Sequence, residues 1–306
     1  MEGIIKVKGL KKYFKEVRAV DDISFEVEKG ELFGFLGING AGKSTTINMM
    51  CTLFNPTAGE IEICGKRVGK SDEEIRSRIG VVWQNNCLDE RLSVKENLYI
   101  RGSLFGKRGK QLKIQVEKLC ETLELQDIWE RKYSKLSGGQ KRRCEIAAAL
   151  VNNPEILFLD EPTTGLDPAT RKTVWESIDI LQKENNMTVF LTTHYMEEAA
   201  KASHIAVIDA GRIKELGTPF KLKEKYTKDI VRFMPQMGKE EELERILSEY
   251  TNFEIKKANE CYIMKLSKSI EVIPVIKRAE RLISGFEVIQ GTMDDVFLNI
   301  TGKNLE

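Results

Sequence analysis

The sequence predicts an α/β core domain followed by a small α+β domain, and three observations carry that expectation. The wholly apolar run at residues 32–36 leads straight into a glycine-rich turn and then into helix-compatible sequence, the order strand, turn, helix. Apolar runs at 156–159 and 188–193 flank a helix-like stretch at 168–184, the spacing of a βαβ unit, which implies a parallel sheet. After Pro219 a fresh alternation of short strands and helices begins.

In chain order, runs at 4–7, 23–27, 32–36 and 60–64 read as strands of a β subdomain and of the core sheet. Between Ser93 and Asn152 the pattern changes to charged helical periodicity, as in 111–125 and 141–151, so a helical insert over about 90–153 is expected. Strands at 205–209 and 212–216 flank Ala210 and Gly211, a hairpin that closes the first domain, 1–219. Residues 220–228 read as a linker with a short helix. Beyond it, strand 230–234, helix 239–250, strands 253–256 and 262–266, helix 269–283 and strand 286–289 give the order βαββαβ, a ferredoxin-like domain over 229–306.

At 306 residues, two domains are the natural expectation. Lys and Arg total 48 against 47 for Asp and Glu, a net charge of +1, which gives no general attraction for nucleic acid or anionic lipid. Residues 1–12 alternate apolar and charged side chains and lack the apolar core of a secretion signal. No run reaches the roughly 18 apolar residues of a membrane span. The six cysteines are scattered without a Cys-x-x-Cys pair, and two histidines are too few to complete zinc sites with them, so reduced structural thiols are expected.

Chemistry is concentrated in a few segments. Gly37-Ile38-Asn39-Gly40-Ala41-Gly42-Lys43-Ser44-Thr45 matches the phosphate-binding loop, with a strand before it and a helix after it. Gly37, Gly40 and Gly42 let the backbone curl its N–H groups inward, and Asn39 and Ala41 belong to the same ATP-binding turn. Lys43 bridges the outer phosphates in this reading, Ser44 offers its hydroxyl to Mg²⁺, and Thr45 holds the α-phosphate. Asp160 and Glu161 follow four apolar residues at the end of a strand, where open α/β sheets bind ligands. Asp160 is the expected Mg²⁺ partner, and Glu161 is the expected general base or orienting acceptor for water.

Leu136-Ser137-Gly138-Gly139-Gln140, directly before a helix-compatible run, narrows the family. With the two segments above, it makes residues 4–217 resemble an ABC ATPase, a phosphate-loop NTPase whose signature this pentapeptide is. Ser137 can cap the helix, while Gly138 and Gly139 leave N–H groups bare at its positive end. The resemblance implies that this end, with Gln140, binds the γ-phosphate held by an opposite subunit, so that a homodimer or a second cassette sandwiches two ATP with Mg²⁺. It also implies a Mg²⁺ and water contact for Gln84, a reach across the dimer for Asp167, and a γ-phosphate hydrogen bond for His194. Phe14 aligns with the aromatic that stacks on adenine; Tyr13 is the adjacent alternative, and either could be a core residue of the first sheet. Ile38 replaces a common proline, and Trp83-Gln84-Asn85 is an unusual setting for the glutamine; neither touches a required group.

Residues 88–98, 163–168 and 292–302 resemble the ATPase subunits of bacterial drug, antibiotic or sodium exporters of the daunorubicin-resistance kind. That resemblance implies a separate ABC-2 type membrane subunit, no nucleic-acid partner, and a cytoplasmic protein held at the inner face of the membrane. The alternative is a non-transport ABC ATPase acting on ribosomes or DNA. Against it stand a single cassette and the lack of a long coiled coil.

Overall fold

The structure, a computed structural model, describes residues 3–302. The chain divides into two compact units, one up to Leu216 and one from Gly217.

In the first unit, β1 (Gly3–Phe14) and β2 (Val17–Glu28) form a long antiparallel hairpin, followed by β3 (Leu32–Leu36) and α1 (Lys43–Met50). Next come β4 (Ala58–Ile63), β5 (Lys66–Arg67), α2 (Asp72–Arg78) and β6 (Ile79–Val82). The helical insert is α3 (Val94–Leu104), α4 (Gly109–Thr122) and α5 (Gly138–Leu150). The chain returns through β7 (Ile156–Asp160), α6 (Pro168–Asn185), β8 (Thr188–Thr193), α7 (Met196–Ala199), β9 (His204–Asp209) and β10 (Arg212–Gly217).

Two sheets result, a four-stranded one in the order β2-β1-β4-β5 and a six-stranded one in the order β10-β9-β3-β8-β7-β6. β3, β7 and β8 are buried at every position, as parallel strands covered on both faces must be. By contrast β2 alternates, with Ile23, Phe25 and Val27 inside and Ser24 and Glu26 outside. The core joins the two sheets: Phe25 stacks on Phe33 at 5.5 Å, and Phe190 lies 5.5–6.0 Å from Phe33, Phe35, Phe158 and Phe25.

β1 and β2 each run 12 residues, well beyond the short runs read from sequence. Register shifts between Val7 and Leu10 and between Lys12 and Tyr13 break the period of two that marks a strand. Ala210 and Gly211 turn β9 into β10 with φ of 49° and 75°, the left-handed pair that a two-residue hairpin requires.

The second unit opens with α8 (Pro219–Tyr226), the helix read from sequence as a linker. It is no free linker: it packs on the last helix, α11 (Met293–Thr301), where Asn299 donates to the Tyr226 carbonyl at 2.8 Å. Between them run β11 (Asp229–Pro235), α9 (Glu240–Ser248), β12 (Glu254–Ala258), β13 (Cys261–Leu266), α10 (Ile273–Ala279) and β14 (Ile283–Ile289). The antiparallel sheet order β12-β13-β11-β14 is the ferredoxin-like arrangement. The second helix is shorter than the pattern suggests. Pro274 suits only a helix's first turn, so Ser269–Val272 forms a 3-10 turn ahead of it. Ile283 already pairs with Pro235 in the sheet. Among the described residues no helix is long and apolar enough to cross a membrane.

Candidate functional site

The parallel register decides which residues meet. Leu36 lies beside Thr193 and Val207, Asp160 beside Thr192, and Val82 beside Leu159. The loop that begins at Gly37, and Gln84, Glu161 and His194, therefore leave the sheet along one edge, at the carboxyl ends of its strands. A side chain at Gly37 would meet the Ile208 carbonyl at 2.5 Å, and one at Gly42, where φ is 109°, would meet the Ala19 carbonyl at 2.5 Å. Gly42 caps α1 without a side-chain bond, leaving the first N–H groups of that helix to a ligand.

Lys43 folds back into this loop. Its ammonium donates to the carbonyls of Gly37 at 2.8 Å and Ile38 at 3.2 Å and lies 3.1 Å from Glu161 Oε1, with both side chains buried. Glu161 leaves β7 with φ of 47°, a left-handed conformation that costs on the order of 1 kcal/mol for a residue with a side chain. The backbone is held there because its N–H donates to Thr192 at 3.1 Å. The turn points the carboxylate away from Asp160, into hydrogen bonds from Gln84 Nε2 at 3.2 Å and Thr164 Oγ1 at 3.3 Å. Burial pushes the Glu161 carboxyl up, but Lys43 and, after it, His194 outweigh burial and hold it below its ordinary value. It is therefore an ionised acceptor. His194 Nδ1 sits 3.4 Å from Glu161 Oε2, is buried, and makes no hydrogen bond among the described residues.

Ser44 Oγ donates to Asp160 Oδ1 at 3.2 Å, and Thr192 Oγ1 donates to the same oxygen at 2.6 Å. A hydroxyl and a carboxylate are the hard oxygen donors that Mg²⁺ selects. Two protein oxygens are too few for a cage, and no cluster of three or more acidic, histidine or cysteine ligands exists among the described residues. The donor set fits a Mg²⁺ that also takes phosphate oxygens.

A cavity of about 460 Å³ lies over the loop, walled by Asn39, Gly40, Gly42, Lys43, Ser44 and Thr45, by Gln84 and Glu161, and by Val17, Arg18, Ala19 and Ala210. Ala41, Asp160 and His194 are not among the residues that line it. Tyr13 is committed elsewhere, its hydroxyl donating to Asp21 at 2.8 Å. Phe14 is 43% exposed at the end of β1, next to the hairpin tip, edge-on to Phe54 at 6.0 Å, and is not part of the wall. Nor are Ser137, Gly138, Gly139, Gln140 and Asp167. Ser137 and Gln140 form a reciprocal capping box at the start of α5, and Asp167 caps α6 by accepting from the Thr170 N–H at 3.0 Å. One chain thus assembles the loop, Gln84, Glu161 and His194, and its signature segment does not line the same cavity.

Sequence reasoning missed three buried charges that hold the segments around Gln84, Glu161 and His194. Arg142 donates to the carbonyls of Trp83 at 2.5 Å, Asp160 at 3.3 Å and Pro162, and burial lowers its pKa to about 10. Glu145 accepts from the N–H groups of Cys87 and Leu88 and from the Tyr133 hydroxyl. Glu198 accepts from Thr193 Oγ1 at 2.6 Å, Trp175 Nε1 at 3.1 Å and Thr163 Oγ1, joining the segment after Glu161 to the strand end before His194. The available signal was a charge inside an otherwise apolar helical face, as at Arg142 and Glu145 among Cys144, Ile146 and Ala147.

Residues 20–164 match the ABC transporter family. The chain is 41% identical, over 72% of its length and 73% of the relative's, to the Nod factor export ATP-binding protein I of Cupriavidus metallidurans. It is 36% identical to the daunorubicin/doxorubicin resistance ATP-binding protein of Streptomyces peucetius, over 97% of this chain and 92% of that one. Among solved structures it resembles a dimeric ATP-binding cassette in a post-hydrolysis state bound to ADP and phosphate, with a TM-score of 0.64 and 28% identity over 70% of this chain and 98% of that one. A subunit of an ABC transporter complex from Clostridium perfringens gives a TM-score of 0.68 at 25% identity, over 82% of this chain and 97% of that one.

Proposed function

This chain belongs to the ABC transporter family as an ATP-binding, ATP-hydrolysing cassette, and we propose that it powers export through a separate ABC-2 type membrane subunit. The observation that carries the reading is the Lys43–Glu161 pair at 3.1 Å at the mouth of a glycine loop, with Gln84 and His194 on the same carboxylate. A γ-phosphate entering the loop draws Lys43 off Glu161. The freed carboxylate, still ionised, accepts a hydrogen bond from the attacking water and orients it, assisted by Gln84. His194 Nδ1, 3.4 Å from Glu161 Oε2, is the donor for a γ-phosphate oxygen. Ser44 and Asp160, with Gln84 as the third expected contact, would hold Mg²⁺, which would neutralise phosphate charge.

Two copies close head to tail in this proposal, the helix end at Ser137, Gly138, Gly139 and Gln140 of each completing the other's nucleotide site, with Asp167 at the junction and Phe14 stacked on adenine. ATP drives closure only because its γ-phosphate binds the closed state better than the open one. The names of the relatives, which speak of Nod factor export and drug resistance, support the export direction. A second cavity, lined by Leu53, Arg76, Trp83, Arg101, Leu104 and Phe105, suits a helix of the membrane subunit. Arg101 Nε is buried there with no hydrogen-bond partner among the described residues. Such docking would hold the protein at the inner face of the membrane.

The test is purification from detergent-solubilised membranes of the host, with ribosome sedimentation in parallel. Co-purification of a membrane-spanning subunit whose presence raises ATP turnover is expected. Recovery of no such subunit, together with co-sedimentation on ribosomes, overturns the transport reading. The ferredoxin-like unit is assigned a regulatory or dimer-stabilising role. A chain ending at Leu216 should lose ATP-dependent dimerisation or change its turnover, and unchanged values of both refute that role.

A further inference from the structure

We propose that Arg142 and Glu145 are positioning residues that tie the signature end of α5 to the catalytic groups of the same chain, so that movement of that end resets Gln84 and Glu161. The proposal rests on the cassette reading above and adds a route by which one nucleotide site acts on the other.

Arg142 is 5% exposed. Its guanidinium reaches the carbonyls of Trp83, immediately before Gln84, of Asp160, and of Pro162, immediately after Glu161. One side chain therefore spans the ends of β6 and β7. Only a planar fork with five donors reaches three acceptors so arranged; an ammonium does not. One turn further along, Glu145 accepts from the backbone of Cys87 at 2.7 Å and Leu88 at 3.0 Å, and from Tyr133 at 2.8 Å. It thereby fixes the segment after Gln84 to the stretch that precedes the signature.

Neither side chain lines the cavity over the loop, so both act through other residues. Their helix begins five residues before Arg142 with the capping box of Ser137 and Gln140, which makes its first turn rigid. Parting Arg142 from its carbonyls would leave a buried charge and buried acceptors unpaired, so the strand ends follow the helix. The Gln84–Glu161 hydrogen bond, at 3.2 Å, lies between the two gripped segments and changes when they move.

The experiment compares Arg142→Lys, which keeps the charge and loses the fork, with Glu145→Ala, which frees two N–H groups beside the exposed Cys87, where water can satisfy them, and the buried Tyr133 hydroxyl. In the full-length chain, ATP affinity is measured by calorimetry, kcat and KM by phosphate release, and Tm by scanning calorimetry. Both variants are expected to keep Kd within about twofold while kcat falls by about ten- to a hundredfold, the effect of displacing catalytic groups by roughly 1 Å. A merely structural role lowers Tm and the active fraction but leaves kcat per bound nucleotide intact. A kcat per bound nucleotide within about twofold of wild type in either folded variant overturns the proposal. If Arg142→Lys does not fold, Glu145→Ala decides by the same criterion. Absence of ATP turnover in the wild type sinks the cassette reading instead, before any variant is compared.

Discussion

Replacing Glu161 by glutamine should move affinity and turnover in opposite directions. Lys43 and Glu161 are paired at 3.1 Å with 4% and 7% of their side chains exposed. An incoming γ-phosphate must take the place of that carboxylate, so the pair competes with ATP. A hydrogen bond to a charged partner contributes about 1.5–3 kcal/mol and one to a neutral partner about 1 kcal/mol. Glutamine keeps a neutral acceptor, so the competition weakens by about 0.5–2 kcal/mol, a roughly two- to thirtyfold lower Kd for ATP. Loss of the base lowers kcat on the order of 10²- to 10⁴-fold. Calorimetric titration with Mg-ATP, phosphate release and sedimentation read the three consequences: tighter binding, lost turnover and an accumulating closed dimer. An affinity equal to or weaker than wild type would refute the competition argument. Wild-type turnover would remove Glu161 from the chemistry.

Three further outcomes follow from the same geometry. Lys43→Met should weaken ATP binding by about ten- to a hundredfold, the worth of a charge-assisted contact. It should also raise the Glu161 carboxyl, because burial is then opposed chiefly by His194. In the wild type the depressed value means that the stability given by this carboxylate is present above its ordinary pKa of 4.5 and is lost only as pH falls through the lower folded value. An infrared carboxylate titration that is unchanged or lower in the variant contradicts this. Mixing inactive Lys43→Met chains with inactive Ser137→Arg chains should restore part of the ATPase activity, since the mixed dimer contains one site with an intact loop and an intact facing signature. No recovery, with mixed dimers demonstrated by cross-linking, would argue against composite sites. Phe190→Ala, at the centre of five packed rings, should cost about 3–5 kcal/mol in urea unfolding; a loss below about 1 kcal/mol would mean the two sheets do not share that core.

How much of this was legible in the chain depended on how local each signal is. The glycine loop, the acid pair at Asp160 and Glu161, and the capped start of α5 are all written within a few consecutive residues, so they could be read without a fold. Strand length was not legible in β1, because the register shifts after Val7 and Lys12 destroy the alternation while leaving the hydrogen bonding. The helix before β14 misled for a similar reason, with Pro274 cutting off its first turn. Tyr13 and Phe14 are neighbours of one chemical type, and only the pairing of Tyr13 with Asp21 across the hairpin leaves Phe14 as the exposed ring.

The residues that hold the site together belong to another class. Arg142 meets Trp83 across 59 positions, Glu145 meets Cys87 across 58, and Glu198 meets Thr163 across 35. Nothing in the flanking sequence specifies those partners; the register of the parallel sheet does. Each is a buried charge, and a buried charge without partners costs more than the fold has to spare. Its presence inside an apolar helical face is therefore itself a statement that acceptors or donors await it somewhere in the folded chain. Ser137 and Gln140 face the reverse situation: each side chain accepts from the other's backbone N–H at the surface, and neither lines the cavity of the same chain. Groups completed within one chain set the geometry of the loop, whereas the start of α5 is the part that our proposal assigns to a second chain's nucleotide.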